Sequence, residues 1–215
     1  MTTAKFKKKL TTETGEEDMR GDKKMRKQST LFPEKEIETL EELELGEAKK
    51  IAEEVKFQVV RYCEKIVTVG SIRRNKPTVR DVDFVVVTND LDWYNLGQEL
   101  RRMKTKTINA GNQIIKTLYP YCDKYFQLDF YRATEDTFGI HKLIRTGSAE
   151  HNMWLAQLAI SKGMRIKYGQ GLLKEGKVVA GKTEQSIFDA LEILYKEPQE
   201  REILPKNTIQ KNGEG

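Results

Sequence analysis

The stretch VGSIRRNKPTVRDVDFVVV, residues 69–87, closes in Asp81–Val87, a run that reads as a buried strand yet carries Asp81 and Asp83 two positions apart. Side chains alternate across a strand, so both carboxylates project from one face, close enough to repel each other. A divalent cation turns that repulsion into ligation. A third carboxylate on a neighbouring strand would complete such a site, and YFQLDFYRA, residues 125–133, supplies Asp129 within an otherwise apolar run. Three acidic residues on two strands can hold two Mg²⁺ ions, with Mn²⁺ as a substitute. That arrangement activates a hydroxyl nucleophile and stabilises a leaving pyrophosphate. The plain alternative for the aspartate pair is a solvated strand edge.

The residues just before the pair favour the metal reading. Gly70-Ser71 follows a strand directly; glycine lets backbone N–H groups approach a phosphate closely, and the serine hydroxyl adds a donor. Arg73, Arg74, Lys76 and Arg80 crowd the same loop, adding cations where a triphosphate would lie. Together these features predict a nucleotidyltransferase.

Charge is distributed unevenly. Residues 61–182 carry 21 Lys and Arg against 12 Asp and Glu, a larger surplus than the +5 of the whole 215-residue chain. A basic body flanked by acidic segments suits a polyanionic partner such as nucleic acid. No apolar run of about 18 residues is present to span a membrane. The basic N-terminus MTTAKFKKKL lacks the apolar core of a secretory signal. Cys63 and Cys122 lack the spacing of a zinc site or a disulfide framework, so the reading is a reduced, intracellular protein, without membrane attachment and monomeric.

Residues 1–33 and 206–215 are polar and aperiodic, which predicts disordered tails. Within the first, Gln28–Phe32 has the opening of a sliding-clamp-binding peptide without its closing aromatics. Ala48, Ile51, Ala52, Val55 and Val59 have helical spacing, in a helix ending near Cys63. Strands are expected at 66–69, 81–87, 105–110, 113–118 and 125–131, with a loop over 70–80, a helix at 91–103 and a hairpin turn at Gly111-Asn112. A helix at 150–162, stopped by Gly163, is followed by strands near 165–168 and 177–180 and a helix over 184–195 ending before Pro198. The fold class is α+β, a mixed sheet with flanking helices and then a smaller α+β lobe.

GSIRRNKPTVRDVDFVVV resembles the catalytic signature of the family X DNA polymerases, the DNA polymerase beta family. LDFYRA is similar to the strand of that family's third aspartate, RTGSAEHN to the turn opening its thumb helix, and YKEPQER to the end of its thumb. The resemblance covers about residues 46–202. It implies a nucleotidyltransferase palm over 34–138 and a thumb over 139–205. It implies that Asp81 and Asp83 bind both metals, and that Asp129 binds the catalytic one and helps activate a primer 3′-hydroxyl. Gly70, Ser71 and Arg74 would hold the incoming triphosphate, Gly147-Ser148 would be joined by a cis peptide near the sugar, and Asn152 would reach the edge of the incoming base. Implied partners are gapped or primer-template DNA and dNTPs.

The departures matter too. Nothing in residues 1–45 resembles the lyase domain or helix-hairpin-helix modules of larger relatives, so the chain is similar to the small palm-and-thumb members. Ile144-Arg145 stands where relatives place an aromatic pair against the sugar, which implies weak discrimination against ribonucleotides. Gln127 replaces an arginine, and Arg80, replacing a small residue, would tighten nucleotide binding. His141 and His151 read as ordinary residues and Trp154 as thumb core. The resulting expectation is a DNA-directed DNA polymerase filling short gaps in repair. Its rivals are a template-independent or non-DNA nucleotidyltransferase and a non-catalytic nucleic-acid-binding protein.

Overall fold

A computed structural model describes residues 42–202. The tails and the Gln28–Phe32 peptide lie outside the described residues. The chain enters through β1 (Leu43–Glu44) and the amphipathic helix α1 (Leu45–Val59). There follow β2 (Lys65–Thr68), a single helical turn α2 (Gly70–Arg73), β3 (Thr78–Val79), β4 (Asp81–Val87) and α3 (Asp90–Arg102). Strands β5 (Lys106–Ala110), β6 (Ile114–Tyr121) and β7 (Lys124–Ala133) complete a five-stranded sheet ordered β2-β4-β7-β6-β5. Only β4 and β7 run parallel among these neighbours, so the sheet is mixed.

The two faces of β4 have different fates. Val82, Phe84 and Val86 are buried in one core with Ala48, Ile51 and Val55 of α1 and Trp93, Leu96 and Leu100 of α3. Burying each such side chain stabilises by roughly 1.5–3 kcal/mol. On the opposite face Val85 and Val87 join Tyr131, Ala133 and Phe138 in a smaller cluster. Earlier along this second face stand Asp81 and Asp83, half-buried.

The second lobe begins with α4 (Phe138–Thr146) and α5 (Ala149–Ser161), followed by the antiparallel strands β8 (Met164–Lys167), β9 (Gly171–Lys174) and β10 (Lys177–Ala180). It ends in α6 (Glu184–Ala190) and a 3₁₀ turn, Pro198–Glu202. Its core gathers Ile140, Leu143, Leu155, Leu172, Ile187 and Phe188, with Trp154 packed at its margin. Side-chain oxygens start α5 and α6: Ser148 accepts from the His151 amide at 3.3 Å and Thr183 from the Ser186 amide at 3.0 Å. Among the described residues no helix is long and apolar enough to cross a membrane. Cys63 and Cys122 are free thiols.

The α+β class holds, with four local differences from the expected elements. The segment 70–80 is not a plain loop: Gly70 turns the chain with φ of 65°, one helical turn follows, and Thr78–Val79 pairs with Leu43–Glu44. Helix α6 stops at Ala190 rather than near Tyr195. Glu192 adopts a left-handed φ of 54°, and the chain leaves the helix so that the Tyr195 hydroxyl reaches Glu184. Helix α4 was not expected at all. Its Gly139 lies so close to the 183 backbone that a Cβ would sit 2.3 Å from the Thr183 carbonyl carbon. Strand β9, the centre of its three-stranded sheet, was also unexpected, because glycines at 169 and 171 mask its start.

Candidate active site

Parallel pairing of β4 with β7 sets Asp83 directly opposite Asp129, and Asp81 opposite Gln127. One carboxylate oxygen from each of Asp81, Asp83 and Asp129 lies within 4.8 Å of the others. Such crowding raises the acids. Burial first, then the Asp81 and Asp129 carboxylates, pushes Asp83 well above the usual carboxylate range. Burial and Asp129 push Asp81 in the same direction. Asp129 is only 1% exposed and fully engaged: Oδ1 accepts from Gln127 Nε2 at 2.9 Å, and Oδ2 accepts from the Tyr131 hydroxyl at 2.9 Å and from Lys116 Nζ. Three hard oxygen donors whose mutual repulsion Lys116 and the nearby arginines only partly relieve fit a magnesium or manganese ion better than a soft metal.

Asp81 and Asp83 face a cleft of about 670 Å³ that Gly70, Ser71, Arg74, Arg80, Gly147 and Asn152 also line. Gly70 is there for a steric reason. A Cβ on it would come within 2.2 Å of Asp83 Oδ2, at a φ that L side chains rarely adopt. Gly70→Ala is therefore expected to displace the Asp83 carboxylate and weaken Mn²⁺ binding by roughly 10–100-fold, the usual cost of disturbing a group that orients a metal ligand. Titration followed by Mn²⁺ electron paramagnetic resonance checks this.

On the far wall, Gly147 and Ser148 are joined by a cis peptide bond. Ser148 itself is buried, its hydroxyl donating to the Arg201 carbonyl at 3.1 Å, so it lies behind the cleft lining. Asn152 donates through Nδ2 to the Ile144 carbonyl at 2.8 Å and leaves Oδ1 without a partner. Arg80 is exposed at the rim. Ile144 and Arg145 both reach the cleft; the Arg145 guanidinium lies 3.6 Å from the Tyr131 ring centroid and donates to the Tyr168 hydroxyl at 2.7 Å.

Arg73 departs from expectation. It turns away from the cleft, donating to Glu184 at 2.8 and 2.6 Å and to Thr146 Oγ1 at 2.7 Å. The reason is electrostatic, since Glu184 is buried and needs cations around it. Arg201, which is fully buried, donates to the same carboxylate at 2.9 Å. Burial works against ionisation of Glu184, but the Arg73 hydrogen bond and the Arg201 charge outweigh it and hold the acid at about 2. His141 and His151 are both buried away from this cleft; burial lowers them to about 4 and about 3. Lys116, Tyr131 and Glu184 were not singled out from the sequence, although all three control site groups.

The sequence is similar to known DNA polymerases. Residues 142–202 match the family model for the DNA polymerase beta thumb. The chain is related to the family X DNA polymerases. It is 26% identical over 152 residues to the Bacillus subtilis DNA polymerase/3′-5′ exonuclease PolX, a match covering 69% of this chain and 26% of that protein. It is 34% identical over 83 residues to Saccharomyces cerevisiae DNA polymerase IV, covering 39% of this chain and 14% of that one. The matched region thus spans no more than about a quarter of either relative.

Proposed function

We propose that the chain is a DNA-directed DNA polymerase that adds deoxynucleotides to a primer 3′-hydroxyl, acting on short gaps during DNA repair. The observation that carries this reading is the meeting of three carboxylates, from strands paired in parallel, beside a cleft whose other wall lies in the stretch that matches the DNA polymerase beta thumb model. Two Mg²⁺ ions at Asp81, Asp83 and Asp129 would supply Lewis acidity, easing deprotonation of the primer hydroxyl and stabilising the departing pyrophosphate.

The protein's own part is positioning. Asp81 and Asp83 present oxygens from the cleft wall, and Asp129 faces the primer end, its orientation fixed by Gln127 and Tyr131. Gly70, Ser71, Arg74 and Arg80 take the triphosphate, Gly147 and Ser148 form the turn against the sugar, and Asn152 offers its free oxygen to the base edge. Residues 34–138 act as the palm and 139–205 as the thumb. DNA affinity comes from the basic body and is strongly salt-dependent, falling by a factor on the order of 10³ or more between about 50 and 200 mM salt for six or more phosphate contacts.

Primer extension with Mg²⁺ tests the reading, comparing a one-nucleotide gap, an open template-primer and a single strand, with dNTPs and rNTPs in parallel. Template-matched extension, strongest at the gap and abolished by chelation, is expected. Extension of single strands without regard to template would move the protein to terminal transfer, and no incorporation on any substrate would overturn nucleotidyl transfer to nucleic acid. The dNTP to rNTP ratio reports what Arg145 does at the sugar.

A further inference from the structure

Two cations of the cleft, Arg74 and Lys76, already have an anion. Glu202 Oε1 accepts from Arg74 Nε at 2.5 Å and its Oε2 pairs with Lys76 Nζ at 2.8 Å. Both cations line the cleft that Asp81 and Asp83 share. Arg74 is further tied to the Thr146 carbonyl, so its guanidinium is fixed in direction and its Nε faces Glu202.

Glu202 is not placed by chance contact between mobile side chains. It directly follows Arg201, whose side chain is fully buried and held by Glu184 at 2.9 Å and by the Lys196 carbonyl at 3.0 Å. The Arg201 carbonyl in turn accepts the Ser148 hydroxyl. The backbone at Glu202 is thus anchored on the Gly147-Ser148 turn. Its own side chain keeps 30% of its surface in solvent, with freedom to swing away while Arg201 stays fixed.

We propose that Glu202 is an internal stand-in for a triphosphate: a nucleotide engages Arg74 and Lys76 only by displacing this carboxylate, which makes Glu202 a selectivity element favouring ligands with a polyphosphate tail. The proposal rests on the nucleotidyl-transfer reading of the cleft. A nucleoside, lacking phosphate, gains nothing from Arg74 and leaves Glu202 in place. A triphosphate carries several negative charges against one and wins the exchange, at a cost in affinity set by how much the docked carboxylate outweighs the released one.

The test is equilibrium binding to the full chain with Mg²⁺ and no DNA, so that no turnover occurs. The ligands are a dNTP, inorganic tripolyphosphate and the matching deoxynucleoside. If docked and released Glu202 stand at about 10:1, Glu202→Gln binds the dNTP and tripolyphosphate roughly 5–10-fold more tightly and the nucleoside with unchanged affinity. Glu202→Ala, which removes the same charge without leaving an amide, gives the same result. In an Arg74→Gln background the gain largely disappears. Equal dNTP affinity in wild type and both variants, or an equal gain for the nucleoside, would overturn the proposal. Equal affinities in a protein that still extends primers would sink the role of Glu202 alone. Absence of dNTP binding in every variant, together with no extension, would remove the nucleotidyl-transfer reading and this proposal with it.

Discussion

Asp129→Asn lowers templated nucleotide addition by at least about 10³-fold while leaving the fold in place. The substitution keeps the side chain's shape and removes one of three charges packed within 4.8 Å. Three effects bear on stability, the first being that the Asn amide turns a donor toward Gln127 or toward Tyr131 and Lys116, which costs about 1–3 kcal/mol. Lys116, about a third exposed, loses its partner, which costs little because its ammonium can turn to solvent. Asp81 and Asp83 lose a like-charged neighbour that raises both, which favours the folded state. The melting temperature is therefore expected to stay within a few degrees of wild type, each kcal/mol being worth about 2–4 °C in a chain of this size. Single-turnover extension at a one-nucleotide gap, with a melting curve beside it, checks both halves. Retained activity in a folded variant would remove Asp129 from the chemistry, and with it the role assigned to the β4–β7 pair.

Glu184→Gln carries the largest expected loss of stability. Its carboxylate compensates Arg73 and the fully buried Arg201, with Lys142 at 3.4 Å and the Tyr195 hydroxyl at 3.3 Å completing the surround. Removing one member of a buried charge network leaves the others uncompensated, at a cost of about 3–5 kcal/mol. Thermal unfolding should move down by roughly 10 °C. The pH dependence gives a separate signature. Glu184 is held at about 2 in the folded protein against an ordinary value of 4.5, so its contribution is fully present above the unfolded value and is lost as pH falls from there toward 2. The two histidines, lowered by burial, also withdraw stability as pH drops below their ordinary 6.5, in both proteins. The difference between the wild-type and Glu184→Gln curves isolates the glutamate: large at neutral pH and shrinking between about pH 5 and 2. A flat difference, or an unchanged melting temperature, would show that Glu184 does not compensate Arg73 and Arg201 as described.

The meeting of the three aspartates was legible because most of it is written locally. Asp81 and Asp83 declare their common face through strand alternation, and Gly70-Ser71 stands at fixed spacing from them. Asp129 was found from its apolar setting. What failed to show is whatever depends on register or on distant partners. Lys116 faces Asp129 because Tyr121 pairs with Lys124 across a two-residue turn at Cys122-Asp123, with Cys122 at a left-handed φ of 51°. Cysteine is not a residue that announces such a turn, whereas Gly111-Asn112 does. Arg73 and Arg74 are adjacent in sequence and look alike, yet one enters a buried network and the other the cleft. Only Glu184, more than a hundred residues later, decides between them. Tyr195 was read as helical for the same reason: local spacing continues the helix, and the distant Glu184 ends it.

The parallel pairing of β4 and β7 also has a consequence for how the protein comes to be folded. Asp83 and Asp129 are 46 positions apart, and α3, β5 and β6 make up the crossover between their strands. Closing so long a loop before its contacts are rewarded is slow compared with forming helices or hairpins. A chain made only as far as α3 holds the aspartate pair without Asp129, so a divalent cation would find no complete site on it. A divalent ion held by these three carboxylates would thereby be excluded as a nucleus for folding and would act as a late ligand, stabilising the finished molecule by mass action without steering the route to it.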